Sequence, residues 1–94
     1  MALIVSSRVK AKLIEKHSVS EEEVIQCFAT REGGFLKDTR EEHLTDPPSQ
    51  WFVAETYFGR ILKVVFIMED GDIYIKTAYP ANSKEIRIYE KYAM

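Results

Sequence analysis

Two lysines and two aromatic residues in the second half of the chain have types and spacing that could bind a nucleic acid. Lys63 and Lys76 stand on neighbouring predicted strands, with Phe52 and Tyr74 interleaved on the same predicted face. Ammonium groups can contact phosphates and aromatic rings can stack on bases, so this combination suits a single strand. The alternative is that the lysine stems lie along apolar surface, and that the C-terminal helix or a second subunit covers the rest.

The other residues that could do chemistry have ordinary structural explanations. His17 and His43 have no partner at zinc-binding spacing, so we expect no metal site. Cys27 falls at a predicted core position, where a single cysteine is usually an inert small hydrophobe. The acidic run Glu21 to Glu23 lies in the first turn of a predicted helix, where negative charge is stabilising. No glycine-rich loop opens a helix, so we also expect no bound cofactor.

The size and composition of the chain predict one domain, residues 1 to 94. Its 94 residues leave no room for a second core, and 46% hydrophobic with 30% charged residues is ordinary for a folded domain. The longest apolar run, Val64 to Met68, is too short to span a membrane, and nothing indicates export, so we expect a cytoplasmic protein. The net charge of −2 argues against strong nucleic-acid binding but is compatible with a local basic face.

Two helices are predicted in the first third of the chain. Ser6 or Ser7 can cap a first helix that runs to about His17 and has an apolar stripe. Ser20 opens a second helix, because a glutamate three residues later completes a capping box. Gly33-Gly34 would end this helix, since glycine tolerates a positive φ.

Four strands are predicted from residue 35 onward. Phe35 to Arg40 could form an edge strand, and the polar stretch Glu41 to Gln50 with its two prolines is a loop. Three β-rich runs follow, joined by Phe58-Gly59 and by Asp70-Gly71, the second of which is a strong type I′ turn signal. The runs are Trp51 to Tyr57, Arg60 to Met68 and Ile73 to Tyr79.

A third helix closes the chain and completes the predicted fold. Asn82 can cap it, and Glu85 follows at the capping-box position. The fold class is therefore α+β, with two N-terminal helices, a four-stranded antiparallel meander and a C-terminal helix packed on the sheet.

The two turns predict which strand residues share a face of the sheet. If each turn contains two residues, Glu55 and Tyr79 both flank Leu62 on an apolar face that packs on helices, and should lie near one another. A carboxylate there needs a donor, which the tyrosine hydroxyl could supply. The opposite face is too apolar for a freely solvated surface, so we expect something to cover it. The first face carries Trp51, Val53, Glu55, Leu62, Val64, Phe66, Met68, Ile73, Ile75, Thr77 and Tyr79, and the second carries Phe52, Ala54, Thr56, Ile61, Lys63, Val65, Ile67, Tyr74, Lys76 and Ala78.

Short motifs along most of the chain occur in an order that resembles one known family. Lys16-His17-Ser18-Val19-Ser20 before a helix is similar to a KHGVS opening, and Gly59-Arg60-Ile61-Leu62 to a GR-hydrophobic strand. Ile75-Lys76-Thr77-Ala78 is similar to an R-I-I-S-A-R strand, and Glu85 with Tyr89 matches an E-R-x-x-x-Y closing helix. The family is that of BrnT-type toxins of bacterial toxin–antitoxin pairs.

The resemblance implies a RelE-like ribonuclease fold, cleavage of RNA without metal by basic and hydroxyl side chains, and a partner antitoxin. By position in the match, Lys76 would be a phosphate donor and Tyr79 a hydroxyl in the place of a family arginine. Arg87 would be a further catalytic group, and His17 and Lys63 would support them.

Three arginines of the family pattern are absent here. Tyr79, Ile86 and Gln50 stand in their places, which predicts weakened, altered or absent nuclease chemistry because charge at a phosphate normally calls for cationic donors. Two hypotheses therefore remain. The first is a BrnT/RelE-like toxin or toxin-derived RNA-interacting protein, and the second is a non-enzymatic interaction module, a homodimer formed through the semi-apolar face.

Overall fold

The protein has three helices and one mixed β-sheet, in a computed structural model that describes residues 2–38 and 47–94. The predicted α+β class is confirmed. No helix in these two ranges is long and apolar enough to cross a bilayer. In chain order the elements are β1 (Leu3–Ile4), α1 (Ser7–His17), α2 (Glu21–Thr30), β2 (Leu36–Lys37), β3 (Ser49–Glu55), β4 (Ile61–Glu69), β5 (Asp72–Pro80) and α3 (Ser83–Ala93).

The helices begin where the sequence predicted, but α2 ends early. Ser6 caps α1, and Ser20 caps α2 through a complete capping box. α2 stops at Thr30 rather than at the two glycines. Gly33 has a different role, because a Cβ there would lie 2.7 Å from the carbonyl oxygen of Ala93. Its missing side chain lets the end of α3 approach the segment after α2.

The sheet has five strands in the order β1-β5-β4-β3-β2. The antiparallel meander is confirmed as β2 to β5. β1 was not predicted; it pairs in parallel with β5 at Ile73 and Tyr74. Two residues are too few to show the alternation that marks a strand, and the pairing joins opposite ends of the chain.

The edge strand is shorter than predicted, and the next strand begins earlier. β2 pairs its two residues with Trp51 and Gln50 of β3, and residues 39 and 40 of the predicted strand lie outside the described residues. The first six residues of the predicted loop, 41 to 46, also lie outside them. Its last two residues belong to β3, which begins at Ser49, directly after prolines that lack the N–H a ladder needs.

The turn between β3 and β4 contains three residues rather than two, and this overturns the predicted faces. Thr56 donates its backbone N–H to the carbonyl of Arg60 at 2.8 Å. The last of the three residues between them, Gly59, has φ +91°, as in hairpins that finish with a left-handed glycine. Glu55 therefore pairs with Ile61, one position from its predicted partner. A shift of one residue in the pairing moves every side chain of β3 to the opposite face of the sheet relative to the side chains of β4.

The β4–β5 hairpin has the predicted turn but carries a bulge. Asp70 and Gly71 have φ values of 53° and 83°, positive as a type I′ turn requires. Close to the turn the strand pairs are those predicted. Farther along, Lys76 is an extra residue on β5, so that Lys63 pairs with Tyr79 and shares a face with it.

One face of the sheet packs on α2 through four phenylalanines. Phe28 of α2 lies 4.6 Å from Phe52, and Phe35 lies 4.8 Å from Phe66, between ring centroids. Phe52 is fully buried, so it cannot stack on a base. The predicted lysine–aromatic face is therefore wrong for Phe52, which belongs to the core on the opposite face, whereas Tyr74 is 39% exposed.

α3 covers part of the other face of the sheet. The ring of Tyr89 lies 6.1 Å from that of Trp51 on this face, Lys63 contacts Glu85 of α3, and both Lys63 and Val65 are buried. Val65 was one of the residues that predicted a homodimer, as was Phe52. Both are buried, whereas Ile67 is half-buried and Tyr74 is 39% exposed, so the semi-apolar face is covered only in part within the monomer.

Candidate functional site

Four polar or aromatic side chains meet where the end of α1, the strands β4 and β5, and the start of α3 come together. The Lys63 ammonium lies 3.0 Å from a Glu85 carboxylate oxygen. The Tyr79 hydroxyl donates to the same oxygen at 3.0 Å. The His17 ring lies 5.6 Å from the Tyr79 ring between centroids. We call these four residues the Lys63 cluster.

Local structure explains why Glu85 is available to this cluster. Its Oε1 accepts the backbone N–H of Asn82 at 3.0 Å, while the Asn82 side chain accepts the N–H of Glu85 at 2.8 Å. This capping box fixes the side chain at the start of α3 and leaves Oε2 for Lys63 and Tyr79. The β5 bulge also contributes, because it places Tyr79 opposite Lys63, where both side chains can contact Glu85.

Arg60 fixes the end of α1, and with it His17. Its guanidinium donates to the carbonyls of His17 and Ser18 at 3.3 and 2.7 Å, and its ion pair with Glu23 at 3.0 Å ties this corner to the start of α2. Ser18 caps the helix with φ 53°, so the chain turns sharply after His17. The planar guanidinium suits this role because its donors form a rigid fork.

The electrostatics of the cluster favour one protonation state. Burial by itself would raise the pKa of Glu85, but the Asn82 N–H, the Lys63 ammonium and the Tyr79 hydroxyl outweigh it and hold that pKa below its ordinary value. Burial raises the pKa of Tyr79, with Lys63 opposing and Glu85 adding to the effect. Near neutral pH, Glu85 is therefore a carboxylate and Tyr79 a hydroxyl that can donate.

Lys63 is the most enclosed charge of the cluster. Its side chain is 8% exposed and that of Glu85 is 15% exposed. The ammonium also lies 4.5 Å from the centroid of the Trp51 ring, within the range of a cation–π contact. His17 and Tyr79 are both partly exposed, so they are the members that a ligand can reach first.

A groove of about 750 Å³ lies beside the cluster, between β2 and α3. Lys37 and Lys84 on its rim are exposed, as is Tyr92. Exposed lysines can contact phosphates and an exposed tyrosine can stack on a base. We call it the lysine groove; its described lining residues are Leu36, Lys37, Asp38, Trp51, Lys63, Asn82, Lys84, Glu85, Ile88 and Tyr92.

Of the five predicted site residues, the structure brings together His17, Lys63 and Tyr79. Lys76 donates to the Ser49 hydroxyl at 3.2 Å and lies three residues from Tyr79 on β5, which is about 10 Å along a strand. Arg87 is exposed, two residues after Glu85 and so about 200° around α3. It points away from the cluster.

The contact between Glu85 and Tyr79 was not predicted from the sequence. Glu85 was identified as part of a helix cap and of the closing-helix motif, and Glu55 was proposed as the partner of Tyr79. Strand pairing does place Glu55 and Tyr79 on one face, but the hydroxyl donates to Glu85 and Glu55 is exposed. A glutamate in a capping box uses one carboxylate oxygen, and nothing in the sequence indicates where the other points.

Two other predicted features can be placed. Within residues 2–38 and 47–94, no three His, Cys, Asp or Glu side chains are grouped so that they could hold a metal ion; His43 lies outside these ranges. The Cys27 thiol donates to the carbonyl of Ala54 at 3.7 Å. Burial, helped by Glu23, raises the pKa of Cys27 to about 12, so the thiol is protonated and a poor nucleophile near neutral pH.

The fold as a whole is that of a BrnT-type toxin. The chain superposes on the crystal structure of the Brucella abortus ribonuclease toxin BrnT with a TM-score of 0.62 and 14% sequence identity. The match covers 88% of this chain and 99% of that one. The resemblance predicted from short motifs is thereby confirmed at the level of the fold. No family model matches the chain, and no curated protein matches its sequence.

Proposed function

We propose that this protein is a BrnT-like toxin, or a protein derived from one, which acts on RNA in the cytoplasm and is held by a partner antitoxin. The observation that carries the proposal is the likeness to a ribonuclease toxin over 88% of this chain and 99% of that one. Since the sequence identity is 14%, the chemistry has to be argued from the residues of this chain.

The lysine groove supports RNA as the ligand. Lys37 and Lys84 would contact phosphates and Tyr92 would stack on a base. Lys76, farther along β5, would contact the backbone away from the Lys63 cluster. The net charge of −2 does not oppose this binding, because the field at a groove depends on the charges nearest to it.

His17 and Tyr79 would perform the chemistry of a metal-independent cleavage. In such a reaction the ribose 2′-hydroxyl attacks the adjacent phosphorus and the bond from phosphorus to the 5′ oxygen breaks. A base removes the proton from the 2′ oxygen, and an acid donates a proton to the departing 5′ oxygen. An imidazole is the side chain best suited to move a proton near neutral pH, and the Tyr79 hydroxyl could donate to the phosphate. Lys63 would position Tyr79 and Glu85, and Arg87 would take no part.

Growth and RNA cleavage test the proposal. Induced expression in a bacterial host should arrest growth, and the purified protein should cleave a labelled single-stranded RNA in the presence of EDTA. Tyr79→Phe and His17→Ala should remove both effects while remaining folded. Tyr74→Phe, on the same strand but outside the cluster, should retain them. A wild-type protein that neither arrests growth nor binds RNA contradicts the proposal.

A non-enzymatic interaction module is a second candidate, favoured by the tip of the β3–β4 hairpin. Tyr57 and Phe58 at this tip are 65% and 93% exposed, which is unusual for adjacent aromatic residues with no role in binding. The predicted homodimer would use this tip, or the part of the semi-apolar face that stays accessible at Ile67 and Tyr74. Sedimentation equilibrium of wild type and Phe58→Ser tests it, since a dimer through the tip should dissociate in the variant.

A further inference from the structure

α3 borders a second groove, on the flank away from the lysine groove. It has a volume of about 440 Å³ and lies between α3, the end of α2 and the part of β3 beyond its pairing with β2. Glu32, Glu55 and Glu90 line it. Its described lining residues include no lysine, arginine or histidine. We call it the glutamate groove.

Apolar side chains form much of this groove and continue past it. Ile61, Ile86 and Met94 line it, and Ile61 and Met94 are exposed. Glu55 lies against the neighbouring hairpin tip, because its Oε2 is 3.9 Å from the Cβ position of Gly59. Phe58 of that tip is exposed as well. An exposed apolar surface with a charged rim is the usual composition of a protein-binding site.

The three glutamates have no ion-pair partner among the described residues, and all three are exposed. Their charges therefore act outward and attract cations to this flank of α3. An RNA strand would be repelled there. The two flanks of α3 differ in the sign of their exposed charges, with Lys37 and Lys84 on one side and the glutamates on the other.

We infer that the glutamate groove binds a basic segment of a partner protein, which inserts apolar side chains beside Ile61 and Ile86 and places lysine or arginine side chains against Glu55 and Glu90. This goes beyond the proposed function, because it assigns a particular surface and a partner chemistry that the likeness to a toxin does not give, and it requires neither RNA nor catalysis. Charge complementarity identifies the kind of partner. Apolar contacts would supply affinity, and the unpaired carboxylates would favour a positively charged segment over a negatively charged one.

A second copy of this chain fits the groove less well. Its most basic element is α1, where Lys12 and Lys16 are exposed and have no ion-pair partner among the described residues. Docking α1 of one copy into the groove of another would join two different surfaces, and such contacts form open chains unless the rotation happens to close. A separate partner avoids this, and it leaves the Lys63 cluster on the opposite flank uncovered.

Peptide binding tests the inference with the full chain. The probe is a labelled 14-residue helical peptide of leucine and lysine, compared by fluorescence anisotropy with a leucine–glutamate peptide of the same pattern and a serine–lysine peptide of the same charge. The first should bind, and the other two should bind at least about tenfold more weakly, because each lacks one of the two contacts. Equal binding of the leucine–lysine and serine–lysine peptides would show charge attraction alone and overturn the inference.

Matched variants locate the peptide. Glu55→Gln with Glu90→Gln should weaken binding about fivefold to tenfold, as two rim ion pairs predict. Glu22→Gln with Glu69→Gln changes the net charge equally at exposed sites outside the groove and should change it less than about twofold. Equal effects of the two pairs overturn the inference. So does a wild-type dimer that the Glu55/Glu90 variant dissociates, since the occupant would then be a second copy.

The outcome is independent of the proposed function. Tyr79→Phe, which should abolish RNA cleavage, should bind the peptide like wild type. If the protein binds the peptide in the groove but never cleaves RNA, this inference is supported and the toxin proposal is contradicted. If it cleaves RNA but binds all three peptides alike, the toxin proposal is supported and this inference is contradicted.

Discussion

Replacing Glu85 by glutamine tests whether the ion pair with Lys63 joins α3 to the sheet. Glutamine has the same shape and can still accept the Asn82 N–H, because a capping box works with either residue. The variant loses the negative charge, which lies 3.0 Å from the ammonium, and the oxygen that accepts from the Tyr79 hydroxyl. That ammonium belongs to a side chain that is 8% exposed, so it loses its carboxylate partner while buried and keeps contacts with the rings of Trp51 and Tyr79.

The expected loss follows from this burial. Removing one partner of a buried ion pair costs about 3–5 kcal/mol, mainly because the other charge stays buried and unpaired. The loss should fall at the lower end of this range, because Glu85 is not fully enclosed and the cation–π contact with Trp51 stabilises the Lys63 ammonium by about 0.5–1 kcal/mol. We therefore expect Glu85→Gln to lower the free energy of unfolding by about 3 kcal/mol, which for a domain of this size lowers Tm by roughly 12–24 °C.

A double-mutant cycle separates the stranded charge from other effects. Lys63→Met in the Glu85→Gln background removes the unpaired ammonium and keeps most of the side-chain volume, so the double variant should be more stable than Glu85→Gln alone by at least about 1.5 kcal/mol. Urea unfolding followed by fluorescence measures this, because Trp51 is the only tryptophan and lies beside Lys63. A Glu85→Gln loss below about 0.5 kcal/mol, or strictly additive losses, would refute the reasoning.

The same pair predicts a pH dependence with a definite sign. The pKa of Glu85 is lower in the folded protein than its ordinary value of 4.5. The carboxylate therefore stabilises the fold above pH 4.5, and this stabilisation is lost as the pH falls toward the lower folded value. The difference in unfolding free energy between wild type and Glu85→Gln should be constant from about pH 6 to 8 and should narrow below pH 4.5.

Three further predictions concern the core and the corners of the fold. Cys27 should not react with a disulfide reagent at about pH 8 until urea unfolds the chain, because its thiol is buried and protonated; rapid labelling of the folded protein would contradict this. Gly33→Ala should cost about 1–3 kcal/mol in urea unfolding, because its Cβ would displace the Ala93 carbonyl and the end of α3. Arg60→Lys should cost about 1–2 kcal/mol by the same measurement, since lysine cannot contact Glu23 and two carbonyls together.

The helix starts could be predicted because they depend on adjacent residues. Ser20 and Asn82 each precede a glutamate by three positions, and each forms the complete capping box in the structure. The type I′ turn at Asp70 and Gly71 was predictable for the same reason, since both residues tolerate positive φ. Signals of this kind are contained within four residues and do not depend on how the rest of the chain packs.

The strand register could not be predicted because both faces of the sheet are covered. A strand with one solvated face shows its orientation by alternating apolar and polar residues, whereas β3 and β4 are apolar on both faces. The glycine at position 59 fits a two-residue turn or the end of a three-residue turn equally well. The bulge at Lys76 has no sequence signal either. The turn shift alone was enough to assign Phe52 and Lys63 to one face, although they lie on opposite faces.

The candidate site was therefore found by resemblance and not by register. His17, Lys63 and Tyr79 were named from their places in a family pattern, and the structure brings these three together, whereas Lys76 and Arg87 from the same pattern lie apart. Glu85 also belongs to that pattern, but its contact with Lys63 and Tyr79 was not predicted, because Lys63 comes opposite Tyr79 only through the bulge.

The closed state of the Lys63 cluster constrains how RNA could use it. A phosphate that replaced the Glu85 carboxylate beside the Lys63 ammonium would also cost the hydrogen bond from the Asn82 N–H to Glu85, one half of the capping box of α3. His17 and Tyr79 are partly exposed and need no such rearrangement. In the proposed reaction, proton transfer and phosphate contact therefore fall to these two residues, and Lys63 acts by holding the tyrosine hydroxyl and the first turn of α3 in place. Lys63→Met should accordingly reduce stability and cleavage together, whereas Tyr79→Phe should remove cleavage at a cost of only about 1 kcal/mol in stability.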